Sequence, residues 1–345
     1  MKQEENVTEN IQLLHKRTGK LYLLCIVVGL ITGFIVSLYR LVLGHANTFR
    51  RMITNHSNFK GPEFIFIVWV GFLVVGFIVN YIGKKYPKIS GSGIPQVKGI
   101  ILRQLDYVKW FQELVAKFVS GVLGIGAGLS LGREGPSVQI GSYVAYGVNK
   151  TFHGDIIEKK YLITSGASAG LAGAFGAPLS GVMFALEELH RFISAKLLIC
   201  AFLASIASDF MRRRIFNLDT SFNLIAKYPT ELNPYYLFTL YIILGVIIGF
   251  LGKLFTDSLL KAQDIYSTKK VPTFVKVACI MSSSLLLCYF LPEATGGGHS
   301  LVESMVSTKS TITILAVIFI VKLLFTVLVF EIGRASCRER VSSPV

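Results

Sequence analysis

GAGLSLGREGPSVQIG, residues 126–141, sets the charged pair Arg133–Glu134 among glycines and apolar side chains. Ionisable groups at membrane depth are costly, and they face a cavity, a partner or a transport pathway rather than lipid. Glu134 is therefore the first candidate functional residue. Pro136 suits the first turn of a helix, where its missing N–H takes nothing from the hydrogen-bond ladder. Gly132 and Gly135 let the backbone approach a ligand closely. The combination reads as backbone donors converging on an anion.

Composition places this stretch in a bilayer. The 345 residues are 52% hydrophobic and 16% charged, against roughly 25% charged in soluble domains. Mean hydropathy is +0.58. Several apolar runs approach the roughly 20 residues that a spanning helix needs, so one polytopic all-α bundle is expected rather than two or three soluble domains. The formal charge of +15 comes from basic residues scattered between apolar runs with no nucleic-acid motif beside them. A lipid surface fits that distribution and nucleic acid does not. The acidic start MKQEENVTEN lacks the basic and apolar regions of a secretory signal, so residues 1–20 read as a cytosolic tail. Cys25, Cys200, Cys279 and Cys288 lie inside apolar segments and read as buried packing residues. No phosphate-cradling glycine pattern, hydrolytic triad or metal-ligand spacing appears, so neither enzymatic chemistry nor a metal or cofactor is expected.

Taken in order, 21–43 is the first apolar span, with glycines at 29 and 33 at small-xxx-small spacing. The second is 64–82. Five basic residues between 83 and 104 outnumber three between 44 and 63, which puts the later loop and the N-terminus in the cytosol. SGSGIPQ at 90–96 marks a loop entering a helix; Ser92 offers its hydroxyl either to a ligand or as an N-cap. An apolar, glycine-rich run from Phe111 leads into Gly132-Arg133-Glu134-Gly135-Pro136. The small-residue stretch 161–175 permits tight helix contact, and Pro178 restarts a helix that ends at Glu187 and Glu188. Those two carboxylates read as a proton carrier or as an interfacial pair closing the helix. Residues 195–211 form another apolar segment, whose closing Arg212-Arg213-Arg214 block is expected in the cytosol. Further runs cover 235–252 and 273–291, with a polar loop containing Lys261, Lys269 and Lys270 between them. Thr295-Gly296-Gly297-Gly298 is a second glycine-rich helix entrance, and 311–330 is the last span, with Lys322 inside it.

GSGIPQ at 91–96, GREGPSVQIG at 132–141 and GAFGAPLSGVMFALEE at 173–188, in that order, resemble the CLC family of chloride channels and chloride/proton antiporters. The likeness covers roughly residues 15 to 330. It implies a CLC-type bundle of tilted and re-entrant helices in an inverted-repeat architecture with the second repeat truncated, and a transmembrane domain over 21–330. It also implies a homodimer with one pore per subunit, in a multi-pass bacterial plasma-membrane protein. By resemblance, Ser92 gives its hydroxyl to a central chloride held by the backbone of Gly91, Gly93 and Ile94. Glu134 becomes the gate whose ionised carboxylate competes with chloride, and Glu188 the internal proton glutamate, with Glu187 as its partner. Arg133 steadies the loop electrostatically.

These roles imply chloride transport by proton exchange. A passive voltage-gated-type chloride channel is the near alternative, and an inactive truncated membrane fragment the distant one. The family pattern departs after Phe330, where EIGRASCRERVSSPV contains neither the expected Gly-x-Phe-x-Pro motif nor a later pore tyrosine. Residues 331–345 are accordingly expected to be a non-native tail.

Overall fold

Small residues decide how closely the helices of this chain approach one another. The computed structural model describes residues 2–55, 61–190, 194–220, 233–268, 272–307 and 311–334. These form α1 (Lys2–Thr54), α2 (Pro62–Lys85), α3 (Ile94–Ile101), α4 (Trp110–Gly126), α5 (Glu134–Thr151) and α6 (Ile156–Phe175). There follow α7 (Pro178–Phe184), α8 (Ala195–Phe216), α9 (Pro234–Thr268), α10 (Thr273–Phe290), α11 (His299–Ser307) and α12 (Ile312–Arg334). No strand occurs among the described residues. Arg17–Thr54, Pro62–Lys85, Pro234–Ala262, Thr273–Phe290 and Ile312–Val329 are long and apolar enough to cross a membrane.

The chain divides into two units. The first comprises residues 1–48, 85–126 and 132–221; the second comprises 49–84, 127–131 and 222–345. In the first, α6 lies between α5 and α8 and packs along both. A Cβ on Gly166 would lie 2.2 Å from the Gly141 carbonyl oxygen, and one on Gly170 would lie 2.2 Å from that of Ser137. The same holds between α1 and α8, where a Cβ on Gly29 would lie 2.3 Å from the Ala204 oxygen. These helices touch backbone to backbone, the contact that small residues allow where no hydrophobic effect drives association. The glycines at 29 and 33 therefore pack α1 against α8. In the second unit, Ala127, Leu129, Val277, Ile280, Met281, Phe325 and Val329 form the core.

Several boundaries differ from the sequence expectation. Residues 2–20 are helical and continuous with the first span. At 1.5 Å per residue α1 is ~80 Å long, well beyond a ~30 Å hydrocarbon core. The polar stretch through Lys261 is helical too, because Lys253, Asp257 and Lys261 follow the four-residue spacing that supports a helix. Lys269 and Lys270 lie outside the described residues, as do 335–345 of the expected tail, while 331–334 continue α12. Cys279 is exposed, although the other three cysteines of the apolar segments are buried. Arg212, the first member of the basic block expected in the cytosol, is 1% exposed. Its guanidinium donates to Asp209 Oδ1 at 2.9 and 2.7 Å from Nε and Nη2.

Backbone contact at Gly170 predicts that Gly170→Ala costs about 1–3 kcal/mol, the usual range for overpacking. Gly245→Ala on α9, where a Cβ meets nothing within 4 Å, is expected to be neutral or stabilising by up to about 1 kcal/mol. Thermal unfolding in detergent compares the two, and equal melting temperatures would contradict the packing.

Candidate functional site

The GSGIP loop owes its shape to what holds its carbonyls. A 3-10 turn at Pro87–Ile89 ends with the Ser90 N–H donating to the Pro87 oxygen at 3.1 Å. Gly91 (φ +72) and Gly93 (φ +91) then take left-handed conformations on either side of Ser92. Four successive carbonyls accept from side chains. Lys88 O takes Gln139 Nε2 at 2.8 Å, Ile89 O takes Lys117 Nζ at 2.7 Å, Ser90 O takes Gln96 Nε2 at 2.9 Å, and Gly91 O takes Lys117 Nζ at 2.8 Å. Each trans peptide points its N–H opposite to its C=O. Holding the oxygens of Ser90 and Gly91 therefore turns the N–H groups of Gly91 and Ser92 the other way. The N–H groups of Ser92, Gly93 and Ile94 find no backbone acceptor among the described residues.

Ser92 does not cap α3. The N-cap is Gly93, with no side-chain cap bond. The Ser92 hydroxyl takes no hydrogen bond among the described residues. Of the two sequence readings, the N-cap is the one this geometry rules out. The loop is thus a short run of backbone donors plus one free hydroxyl at the positive end of a helix, an arrangement that favours an anion.

The GREGP motif meets this loop directly. A Cβ on Gly135 would lie 2.4 Å from the Ser92 oxygen and 3.0 Å from its Cα, so the two backbones are in contact. A Cβ on Gly93 would lie 2.4 Å from Gln139 Oε1 on α5. Glu134 is the first residue of α5, Arg133 precedes it, and both are half-buried, while Pro136 is buried in the first turn. The Glu134 carboxylate folds back over Gly132, placing Oε2 2.5 Å from where a Cβ would stand. Ser137 Oγ donates to the Arg133 oxygen at 2.8 Å and closes the helix start.

Glu187 and Glu188 sit on a π-helical turn at Ala185–His190 that follows α7, and both are exposed. Lys98 on α3 pairs with Glu188 Oε1 at 3.9 Å. That pair is half open to solvent and worth little as a stabiliser. It nevertheless ties Glu188 to the helix that begins at the GSG loop. No direct bond joins Glu188 to Glu134 among the described residues. Three residues central to the loop, Gln96, Lys117 and Gln139, carried no sequence signal except that a polar group inside an apolar helix needs a partner. No His, Cys, Asp or Glu cluster suited to a metal occurs among the described residues.

The family described as voltage gated chloride channel matches residues 71–336. The H(+)/Cl(-) exchange transporter ClcA of Citrobacter koseri is 32% identical over 318 residues, 89% of this chain and 66% of that protein. Its counterpart in Salmonella paratyphi B is 31% identical over 321 residues, covering 90% and 67%. The chain thus spans about two thirds of the length of these curated relatives. Among solved structures, a slow cyanobacterial Cl-/H+ antiporter superposes with a TM-score of 0.82 at 28% identity, over 91% of this chain and 74% of that one. A CLC-type fluoride/proton antiporter, at 23% identity and a TM-score of 0.73 over 91% and 76%, shares the fold.

The contacts at the loop separate three glycines. Gly135→Ala pushes on Ser92 backbone and Gly93→Ala adds a side chain at positive φ, so each is expected to lower stability by about 1–3 kcal/mol. Gly132→Ala meets only the flexible Glu134 carboxylate and is expected to cost less than about 1 kcal/mol. Thermal melting of the three variants checks the order; a Gly132 variant as damaged as the Gly135 variant would refute the contact.

Proposed function

The chain belongs to the voltage gated chloride channel family, and from that premise we propose that it carries chloride across a bacterial plasma membrane in exchange for protons. In this reading it works as a multi-pass homodimer. The observation that carries the reading is the backbone contact between Gly135 and Ser92, which sets the Glu134 helix start against the free hydroxyl and N–H groups of the GSG loop.

The chemistry follows from charge. Chloride at the loop is held by the Ser92 hydroxyl and by the N–H groups of the Gly91–Ile94 turn, supplemented by the positive end of α3. Partial charges bind without burying a full counter-charge, so the ion can leave again. The Glu134 carboxylate competes for the same kind of donor. Two unit negative charges a few ångströms apart repel by several kcal/mol at an effective dielectric near 20, so occupancy by chloride favours a protonated or displaced Glu134. Proton binding at Glu134 is in this way linked to chloride binding. Glu188, exposed on the π turn and tied through Lys98 to α3, is the group that relays protons to and from the aqueous side. Arg133, at the start of α5, steadies the loop.

Reconstitution of the 345-residue chain in liposomes under a chloride gradient tests this. Proton movement against the gradient of chloride flow is expected, measured with an internal pH dye beside a chloride electrode. Glu134→Gln is expected to keep chloride flux and lose coupled proton movement, and Glu188→Gln to reduce proton movement to background while chloride still passes. Chloride flux with no proton movement in the unsubstituted chain would favour the channel alternative. Flux of neither ion would overturn transport by this chain.

A further inference from the structure

The glycine loop of the first unit has a second copy. A 3-10 turn at Pro292–Ala294 ends with the Thr295 N–H donating to the Pro292 oxygen at 3.2 Å, as Ser90 does to Pro87 at 3.1 Å. Gly296 (φ +68) and Gly298 (φ +81) repeat the conformations of Gly91 and Gly93. Each loop then opens a short helix, α3 or α11, followed by a longer one, α4 or α12. On each longer helix a lysine returns to the loop. Lys322 Nζ donates to Ala294 O at 3.2 Å and Gly296 O at 3.0 Å, across 28 and 26 residues. Lys117 Nζ donates to Ile89 O and Gly91 O across the same 28 and 26 residues. Pro87, Gly91, Gly93 and Lys117 thus correspond in register to Pro292, Gly296, Gly298 and Lys322.

Neither ammonium has a carboxylate partner among the described residues. Lys117 is 4% exposed, and Lys322 is half-buried. A lysine so placed is expensive unless its charge is used. What each touches is the outer side of two loop peptides. We propose that Lys117 and Lys322 are positioning residues, one per repeat, which grip their glycine loops by two carbonyls and so hold the loop N–H groups facing away from the lysine. For Lys117 this rests on the reading of the Gly91–Ile94 turn as the chloride loop. The ammonium then acts through the peptides: it fixes the direction of the Ser92 N–H and adds a positive charge behind the donors. For Lys322 the claim concerns only the shape of the Thr295–Gly298 loop. Glycines supply the left-handed turns but no rigidity of their own; the lysine supplies the restraint.

Hydrogen exchange with mass spectrometry on the detergent-solubilised 345-residue chain, beside calorimetric titration with sodium chloride, tests the clamp. Lys117→Met is expected to speed exchange by about tenfold in peptides spanning 88–96 and leave 293–300 unchanged, and Lys322→Met to do the reverse. Chloride affinity is expected to fall roughly tenfold in Lys117→Met, the scale of one charge-assisted hydrogen bond, and to recover in Lys117→Arg. Unaltered exchange in both methionine variants would overturn the clamp. Faster exchange with undiminished chloride affinity would overturn the positioning role of Lys117. Should Lys117→Met not fold, Lys117→Gln, a neutral donor, and Lys322→Met carry the same comparison. Ser92→Ala is the control for the site: if the unsubstituted chain binds no chloride while exchange still rises in Lys117→Met, the chloride reading fails and the clamp stands.

Discussion

Four adjacent carbonyls, those of Lys88, Ile89, Ser90 and Gly91, have their hydrogen bonds satisfied by side chains rather than by a helix or sheet. Irregular backbone at membrane depth is tolerated only where protein or a polar cavity satisfies it. Gln139, Lys117 and Gln96 meet that demand from α5, α4 and α3. Their arrangement also sets the loop donors, since the captured oxygens of Ser90 and Gly91 send the N–H groups of Gly91 and Ser92 to the opposite side. Without those donors the loop would have to fold into helix or carry unpaired carbonyls, and the run of free N–H groups would be lost.

Glycine makes the second half of the arrangement possible. Gly135 allows the Glu134 helix start to lie on Ser92 backbone, and Gly93 leaves room for the Gln139 side chain that holds Lys88. The same device recurs at Gly141 and Gly166, where α5 meets α6 without intervening side chains. Helix α5 is therefore fixed along one side by α6 and against the loop at its start. A carboxylate at its first residue inherits that fixed position, although its own side chain is free to fold over Gly132. A rigid base with a short arm is what the gating role proposed for Glu134 requires.

Much of this is legible in the sequence. The expense of Glu134 in an apolar setting, the helix starts marked by Pro95, Pro136 and Pro178, and the small-residue face at 161–175 all have local causes and appear where expected. Other features were hidden by the same local logic. Nothing in the local sequence pattern singles out Lys117 or Gln139, and Arg212 is one member of a basic block. Each is defined by a partner distant in sequence or by burial, and no pattern of neighbours reports either. The lengths of α1 and α9 were missed for a different reason. Helix propensity continues past the apolar stretch, so hydropathy ended both too early.

Residue chemistry alone determined that the chain carries helices fit for a bilayer, that its glycine-rich turns begin helices, and that Glu134 and Ser92 are candidates for a site, because each follows from the cost of polarity in lipid or from steric rules acting over a few residues. Tertiary structure alone decided that Ser92 leaves its hydroxyl free instead of capping α3, that Gly135 rests on it, and that Lys117 and Lys322 grip equivalent carbonyls in two copies of one loop. The contacts of Gly135, Lys117 and Lys322 depend on which groups meet across 26 residues or more. Hydrogen-bond partners at such separations are chosen by the packing of whole helices.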